Sequence, residues 1–494
     1  MSPVKLLANV CSYEDLDAAQ GREVFFRPHR FRSSDLLPLR STVTITAADA
    51  QFECQLHDVS QNGAAFEWPK DLPVAVGDKL PSVAVRFDSH EPYRGGAQVG
   101  SVREMDGVVI VGISFELLLP VDEVLELRAI KSFTETRSGA PAVWRAPGHD
   151  HFKAQVSDLR LYLEDAQQQL GQLEKDLPWH VLHGEGSPAR GALIEKMRTT
   201  FATDVVRFSE DIDKAVRSAS PAHAHALIQW SRRNVHEFFM QSPSMNRCAA
   251  KPFGYPGDYE VMRFIYEKPF EGPTLFAKAV GLAFDQTRAA RAVRDRKDLV
   301  KQQLRTLIES RRAPLRILAV ACGPAQELFE LLQEMPDLPA PLEIVLFDQD
   351  KGALGHAYRR LKPLLDARQG APVKVVYLHE SIKRLLRDGE LFAAYGRFDF
   401  IYSVGLFDYL RDSTAVGFAR KLEARLGEGG RVLIANMAPE NPSRWYMEHH
   451  LDWWLIHRTR ETMLEIAARA APHAQLQILE EASGVNPFVE IARA

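Results

Sequence analysis

Leu315–Glu327 reads LRILAVACGPAQE, and Leu342–Asp350 reads LEIVLFDQD. Each opens on a short apolar run of strand length and breaks off in small or acidic residues. Ala321, Cys322 and Gly323 make a tight turn, and a helical pattern starts at Gln326. Strand, small-residue turn, helix, strand, acid is the first half of a doubly wound α/β sheet. A turn poor in side chains lets a ligand reach backbone N–H groups. Asp348, with Gln349 and Asp350 beside it, sets a carboxylate at the second strand's tip, where a ribose diol is held.

The dinucleotide fingerprint G-x-G-x-x-G and the P-loop pattern are both missing, so no standard phosphate cradle is predicted. Further strands follow at Val373–Tyr377, ahead of Glu380 and Ser381, and at Phe398–Ser403, ahead of Gly405. A Gly-rich turn, Leu426–Gly430, precedes RVLIAN, and QLQILEE with NPFVEIARA makes a closing pair. In order and spacing this set resembles the class I S-adenosylmethionine (SAM) methyltransferases. Alanine stands where that family has glycine before Cys322 and after Pro324. The resemblance implies a Rossmann-like, seven-stranded, mostly parallel sheet with a reversed last strand, and SAM as cofactor. It places the cofactor against Ala321, Cys322, Gly323, Asp348, Gln349, Glu380, Ser381, Ser403 and Gly405.

A chain of 494 residues has room for two or three cores. The net charge of −4 argues against bulk binding of a nucleic-acid duplex. Cys11, Cys54, Cys248 and Cys322 are scattered, so neither a zinc site nor a disulfide framework is expected. No signal-peptide pattern or membrane-length apolar run is apparent. A bacterial-type cytoplasmic location is the default expectation.

After an Arg-rich arm (1–35, with Arg22, Arg27, Arg30 and Arg32), residues 36–135 change style. STVTITA, FECQLHDV, AAFEW, SVAVRFD, AQVGSVREM and VVIVGISFEL are short, alternating and punctuated, the pattern of a small antiparallel β-barrel. Asp58-Val59-Ser60-Gln61-Asn62-Gly63 is a D-x-S-x-x-G turn, with Gly63 expected to supply an unusual backbone angle. These features resemble the PilZ domain, a receptor for cyclic di-GMP. The resemblance implies a ligand site at Arg30, Arg32, Arg40, Asp58, Ser60 and Gly63. The family's R-x-x-x-R pair is incomplete: Arg40 is present, but Leu36 occupies the partner position. Paired guanidinium groups are what clamp phosphate, so binding is rerouted, weakened or lost.

Residues 136–151 read as a Pro/Gly-rich linker, 152–244 as a helical region, and 245–494 as the catalytic domain with a helical cap. The amphipathic stretch from Phe152 also suits a homodimer surface. Gly254-Tyr255-Pro256-Gly257-Asp258-Tyr259 cannot be helix interior and presents Tyr255 and Asp258 on a rigid loop. Among Arg288, Arg291, Arg294 and Arg296, one is expected to meet a carboxylate of a bound amino-acid moiety. Trp445, Tyr446, Trp453 and Trp454 form an apolar pocket wall or pack a helix, and His449 is a candidate base.

The GYPGDY loop, the late Trp-rich segment and the sheet together resemble bacterial proteins assigned to making 3-hydroxy-fatty-acid methyl esters. That implies O-methylation of a carboxylate, which needs no general base. Tyr255, Asp258 and His449 are then the acceptor-side residues. Two other readings stay open: a methyltransferase acting on a protein side chain or small metabolite, and a non-catalytic adaptor whose motif alanines mark a lost cofactor site.

Overall fold

The structure is a computed structural model describing residues 19–21, 30–47, 50–69, 72–105, 108–136, 149–184, 186–217, 223–387 and 391–493. Cys11, Arg22, Arg27 and most of the predicted linker lie outside these. The chain divides into two compact units, residues 25–146, and residues 1–24 together with 147–494.

A three-residue strand, β1 (Ala19–Gly21), belongs to the larger unit. The smaller unit holds β2 (Phe31–Arg32), β3 (Ser41–Ala47), β4 (Ala50–Ser60), β5 (Gly63–Glu67), β6 (Lys79–Phe87), β7 (His90–Met105) and β8 (Val108–Phe115). The antiparallel order is β4-β3-β6-β7-β8-β5, and β5 also pairs with β4, so six strands close into a barrel with β2 added outside β4. Alternate residues point inward, as the pleat requires: Val43 and Ile45, Cys54 and Leu56, Val83 and Val85 share one core. Leu36, at the place of the missing arginine, is fully buried in that core.

Gly63 corrects the reading of its turn. It is absent from the left-handed glycines. Its role is steric, because an added Cβ would stand 2.1 Å from the Ile113 carbonyl oxygen.

The larger unit is built on β9 (Leu315–Val320), β10 (Leu342–Asp348), β11 (Val373–His379), β12 (Phe398–Ser403), β13 (Leu426–Ala435), β14 (Gln475–Leu479) and β15 (Phe488–Ala492). Their order is β1-β11-β10-β9-β12-β13-β15-β14. Strands β9 to β13 run parallel, and β15 lies antiparallel to both neighbours. This is the expected seven-stranded arrangement with its reversed last strand, lengthened at one edge by β1. Helices cover both faces, so central strands are apolar throughout. Leu318 and Val320 enter one core while Ile317 and Ala319 enter the other. The Gly-rich Leu426–Gly430 is not a turn before the strand: it forms the first half of β13, with a register shift against β12.

Helices from 150 to 286 share a third core with Trp445, Tyr446 and Trp453. Residues 152–244 therefore do not stand apart from those after 245. The stripe Phe152, Val156, Leu159 and Leu163, spaced at helical intervals, is buried in that core rather than free for a second copy. The winding reverses between β9 and β12, which opens a crevice at the carboxyl ends of the strands.

Candidate functional site

The turn after β9 is left-handed at three of five residues: φ is +53° at Ala321, +53° at Gly323 and +49° at Ala325. That conformation is easy for glycine and costs alanine about 1–2 kcal/mol. A Cβ on Gly323 would meet nothing within 4 Å, so the turn faces open space at Gly323. The Cys322 thiol lies 3.6 Å from the Gly323 carbonyl. Burial raises it well above the usual range, which leaves it neutral and unreactive.

Asp348 points at this turn. Gly323 N–H donates to Oδ2 at 2.8 Å and Asp350 N–H to Oδ1 at 2.9 Å. Burial pushes its carboxyl up to about 7 against the pull of those N–H groups. Asp350 caps the helix Lys351–Asp366, accepting from Gly352 N–H at 2.7 Å and Ala353 N–H at 3.4 Å. The Tyr255 hydroxyl donates to its other oxygen at 3.2 Å. Burial, with Asp348 and Asp350 nearby, drives the Tyr255 phenol far above its normal range, so it remains a donor. A Cβ on Gly352 would meet the Tyr259 ring at 2.6 Å. The GYPGDY loop thus lies across the tip of β10, and the structure brings Tyr255 to the cofactor-side carboxylates.

At the tip of β11, Glu380 N–H donates to the Asp348 carbonyl at 3.2 Å. Glu380 is buried and pairs with Arg384, and the Ser381 hydroxyl accepts from Arg384 N–H at 3.2 Å. Gln349 is exposed. At the tip of β12 the Ser403 hydroxyl is buried without a hydrogen-bond partner among the described residues.

Beside Gly405 lies Arg296, whose Nη2 would be 3.2 Å from an added Cβ. Arg296 is only 7% exposed, and its Nε has no partner among the described residues. Its Nη2 meets Met262 Sδ at 3.9 Å, and Tyr266 and Asp408 lie beside it, so the bare Nε is the part left for an anion. Asp408 shares this corner. Burial raises its carboxyl to about 6, while Arg296 and the Met437 N–H, donating at 2.7 Å, act against the rise. Arg458 holds the loop by donating to the Phe407 carbonyl at 2.8 Å and to Asn436 Oδ1 at 2.6 Å. Sequence reasoning does not single out Asp408. Only its place in the run after β12 points to it.

Two acceptor-side candidates are otherwise engaged. Asp258 is 1% exposed; it accepts from Arg247 Nε at 2.9 Å and Nη2 at 2.8 Å, and from Val261 N–H at 3.0 Å as a helix cap. His449 lies in the helical layer, with Nδ1 3.5 Å from the Ser231 hydroxyl and its ring against Trp445. Burial pushes it down to about 3, leaving a weak base. The aromatic segment divides. Trp445 and Tyr446 are core residues, Trp454 is half exposed, and Trp453 donates to the Tyr409 hydroxyl at 2.8 Å beside Gly257.

In the barrel, β2 lays Arg32 opposite Asp58, and Arg30 forms an ion pair with Asp58. The Ser60 hydroxyl donates to the Gly63 carbonyl at 3.2 Å within the β4–β5 hairpin. Arg30, Arg32, Asp58, Ser60 and Gly63 therefore come together. Arg40 does not join them through its side chain, which meets Glu53 at 3.3 Å.

The two folds are a closed six-stranded barrel and a doubly wound α/β sheet with a reversed last strand. The barrel unit is a PilZ domain: the family's model matches residues 25–134. No curated protein matches the chain. Among solved structures, a possible exported protein from Bordetella parapertussis is 16% identical, covering 62% of this chain and 99% of its own, with a TM-score of 0.42. Magnesium protoporphyrin IX methyltransferase from Synechocystis, bound to S-adenosylhomocysteine, is 12% identical over 53% of this chain and 99% of its own, at 0.34. The N-methyltransferase NodS from Bradyrhizobium japonicum is 13% identical over 42% and 90%, at 0.29. With each TM-score below 0.5, the strand order of this chain defines its fold.

Proposed function

We propose that the larger unit is a SAM-dependent methyltransferase that O-methylates a carboxylate, such as that of a hydroxy fatty acid, under control of a PilZ domain binding cyclic di-GMP. The observation that carries this reading is the turn after β9. Ala321 and Ala325 keep the left-handed backbone of glycine at a cost, on either side of Gly323, which faces open space and is tied to Asp348. Strain of that kind persists where a site needs it, which speaks against a decayed adaptor.

The groups lining the crevice fit SAM. Asp348 suits the ribose hydroxyls, Arg296 the carboxylate of the methionine moiety, and the unpartnered Ser403 hydroxyl a further polar atom. Bound SAM supplies an electrophilic methyl group on a sulfonium. The chain's part is to align an acceptor beside Tyr255 and the Trp453–Tyr409 wall, since positioning yields most of the acceleration. Asp258 and His449 are engaged elsewhere, which favours an acceptor already ionised at neutral pH.

Titration calorimetry of the full chain with SAM tests the reading. Binding by the wild type that is lost in Asp348→Ala supports it, and no heat at millimolar SAM overturns it.

A further inference from the structure

A second cleft, of about 490 Å³, opens on another side of the helix Arg288–Ser310. Arg198, Lys268, Asp285, Arg291, Arg294 and Asp295 line it. Its volume is that of a small-molecule site. Arg294 and Arg296 are two residues apart on one helix, roughly 200° around its axis. Arg296 thus turns to Gly405 and the crevice while Arg294 turns to this cleft.

The cations of the cleft outnumber its acids, and Asp295 acts on Arg291 and Arg294 through space without forming a salt bridge among the described residues. Arg294 gives Nη1 to the Ile265 carbonyl at 3.3 Å and Nη2 to the Asp285 carbonyl at 2.7 Å, both neutral acceptors. Lys268, Arg291 and Arg294 make no salt bridge among the described residues, whereas Arg198 pairs with Glu195 at 2.9 Å.

Asp285 is the second, independent sign. It is 6% exposed and lines the cleft, yet its carboxyl group takes no hydrogen bond among the described residues. Burial raises it to about 8, so at neutral pH it is largely a protonated donor and does not cancel the cations. The cleft edge is a π-helical turn, Arg198–Ala202, whose Arg198 carbonyl is held by Gln286 Nε2 at 3.0 Å and Thr203 Oγ1 at 3.0 Å. Such turns recur at functional sites.

We propose that this cleft is a second ligand site for a small phosphorylated molecule, with Lys268, Arg291 and Arg294 holding the phosphate and Asp285 hydrogen-bonding to the rest. Three unpaired cations suit a multiply charged oxyanion better than a single carboxylate. The ligand sits against the helix that also carries Arg296, and Arg294 and Arg296 both touch the helix Tyr259–Glu267, at Ile265 and Met262. It is therefore placed to act on the crevice without entering it.

Phosphorus NMR of inorganic pyrophosphate with the full chain tests the proposal. Wild type is expected to broaden the signal saturably. The double variant Lys268→Ala/Arg291→Ala, altered only at exposed side chains, is expected to bind about a hundredfold more weakly, at about tenfold per lost charged contact. Asp285→Asn removes a buried acid without adding repulsion and is expected to bind pyrophosphate at least as well as wild type. Arg311→Ala/Arg312→Ala removes equal charge elsewhere and is expected to bind like wild type. No saturable broadening in wild type, or an equal loss in the Arg311/Arg312 variant, overturns the proposal.

Discussion

Gly323 donates its backbone N–H to Oδ2 of Asp348 at 2.8 Å, which ties the turn ending β9 to the carboxylate ending β10. The tie is made in a buried setting that pushes Asp348 up to about 7. An unfolded aspartate ionises near ~3.9. Between those values the unfolded chain holds fewer protons than the native one, so this group lowers stability as pH rises, and the loss levels off above the native value. Asp348→Asn removes the titration. The stability of the variant relative to wild type, read by thermal unfolding, is expected to rise from about pH 4 to about pH 7 and then stay flat. A pH-independent difference would mean that Asp348 titrates as it does in water.

The left-handed alanines make a separate prediction. Glycine at 321 or 325 relieves about 1–2 kcal/mol of backbone strain, offset by about 0.4–1 kcal/mol from a looser unfolded chain. Ala321→Gly is expected to leave stability equal or up to ~1.6 kcal/mol higher in urea unfolding, and at the buried Ala325 the lost methyl contacts, about 0.8 kcal/mol, bring the change to within ~1 kcal/mol of zero. Helix propensity does not oppose the change at Ala325, which precedes the helix Gln326–Glu334. A loss above ~1 kcal/mol at both sites would contradict the strain.

Much of this site is legible before folding, because strand tips announce themselves: an apolar run ends and a small or acidic residue follows. Asp348, Gly323, Glu380 and Ser403 stand out that way. Burial is not readable. Arg288, Arg291, Arg294 and Arg296 look alike in sequence, and only packing places Arg296 in the crevice. Asp258 looks catalytic because it follows Gly257 in an irregular loop, yet its partner Arg247 lies eleven residues away on another helix. Turn chemistry predicts an unusual backbone at Gly63, whereas the approach of Ile113 on the neighbouring strand β8 is what requires glycine there.

Arg296 gives a test that separates these arginines. Charge-assisted hydrogen bonds contribute about 1.5–3 kcal/mol, or roughly ten- to a hundredfold in affinity. Arg296→Gln is expected to weaken SAM binding by that factor in calorimetry. Arg288→Gln, at an exposed position 3.7 Å from Glu210, is expected to leave it unchanged.

The barrel offers the same kind of discrimination. Arg30 pairs with Asp58 beside the β4–β5 hairpin, and Arg40 meets Glu53 instead. If cyclic di-GMP uses the hairpin, Arg30→Ala is expected to lose at least about tenfold in affinity and Arg40→Ala to lose little. Equal losses in a fluorescence titration would move the ligand toward Arg40.

Asp258 distinguishes architecture from catalysis. Its carboxylate joins Arg247 to the start of the helix Tyr259–Glu267 and so sets the loop that carries Tyr255. Asp258→Asn still caps that helix but leaves Arg247 without its counter-charge. Breaking a fully buried pair costs about 3–5 kcal/mol; Arg247 is 25% exposed, so a loss of about 1–3 kcal/mol is expected. Replacing both residues, as Asp258→Asn with Arg247→Met, removes the stranded charge and is expected to recover part of that loss. Methyl transfer is expected to follow stability, falling in the single variant and returning partly in the double one. A general base would behave otherwise: the single variant would stay stable but inactive, and removing Arg247 would restore nothing.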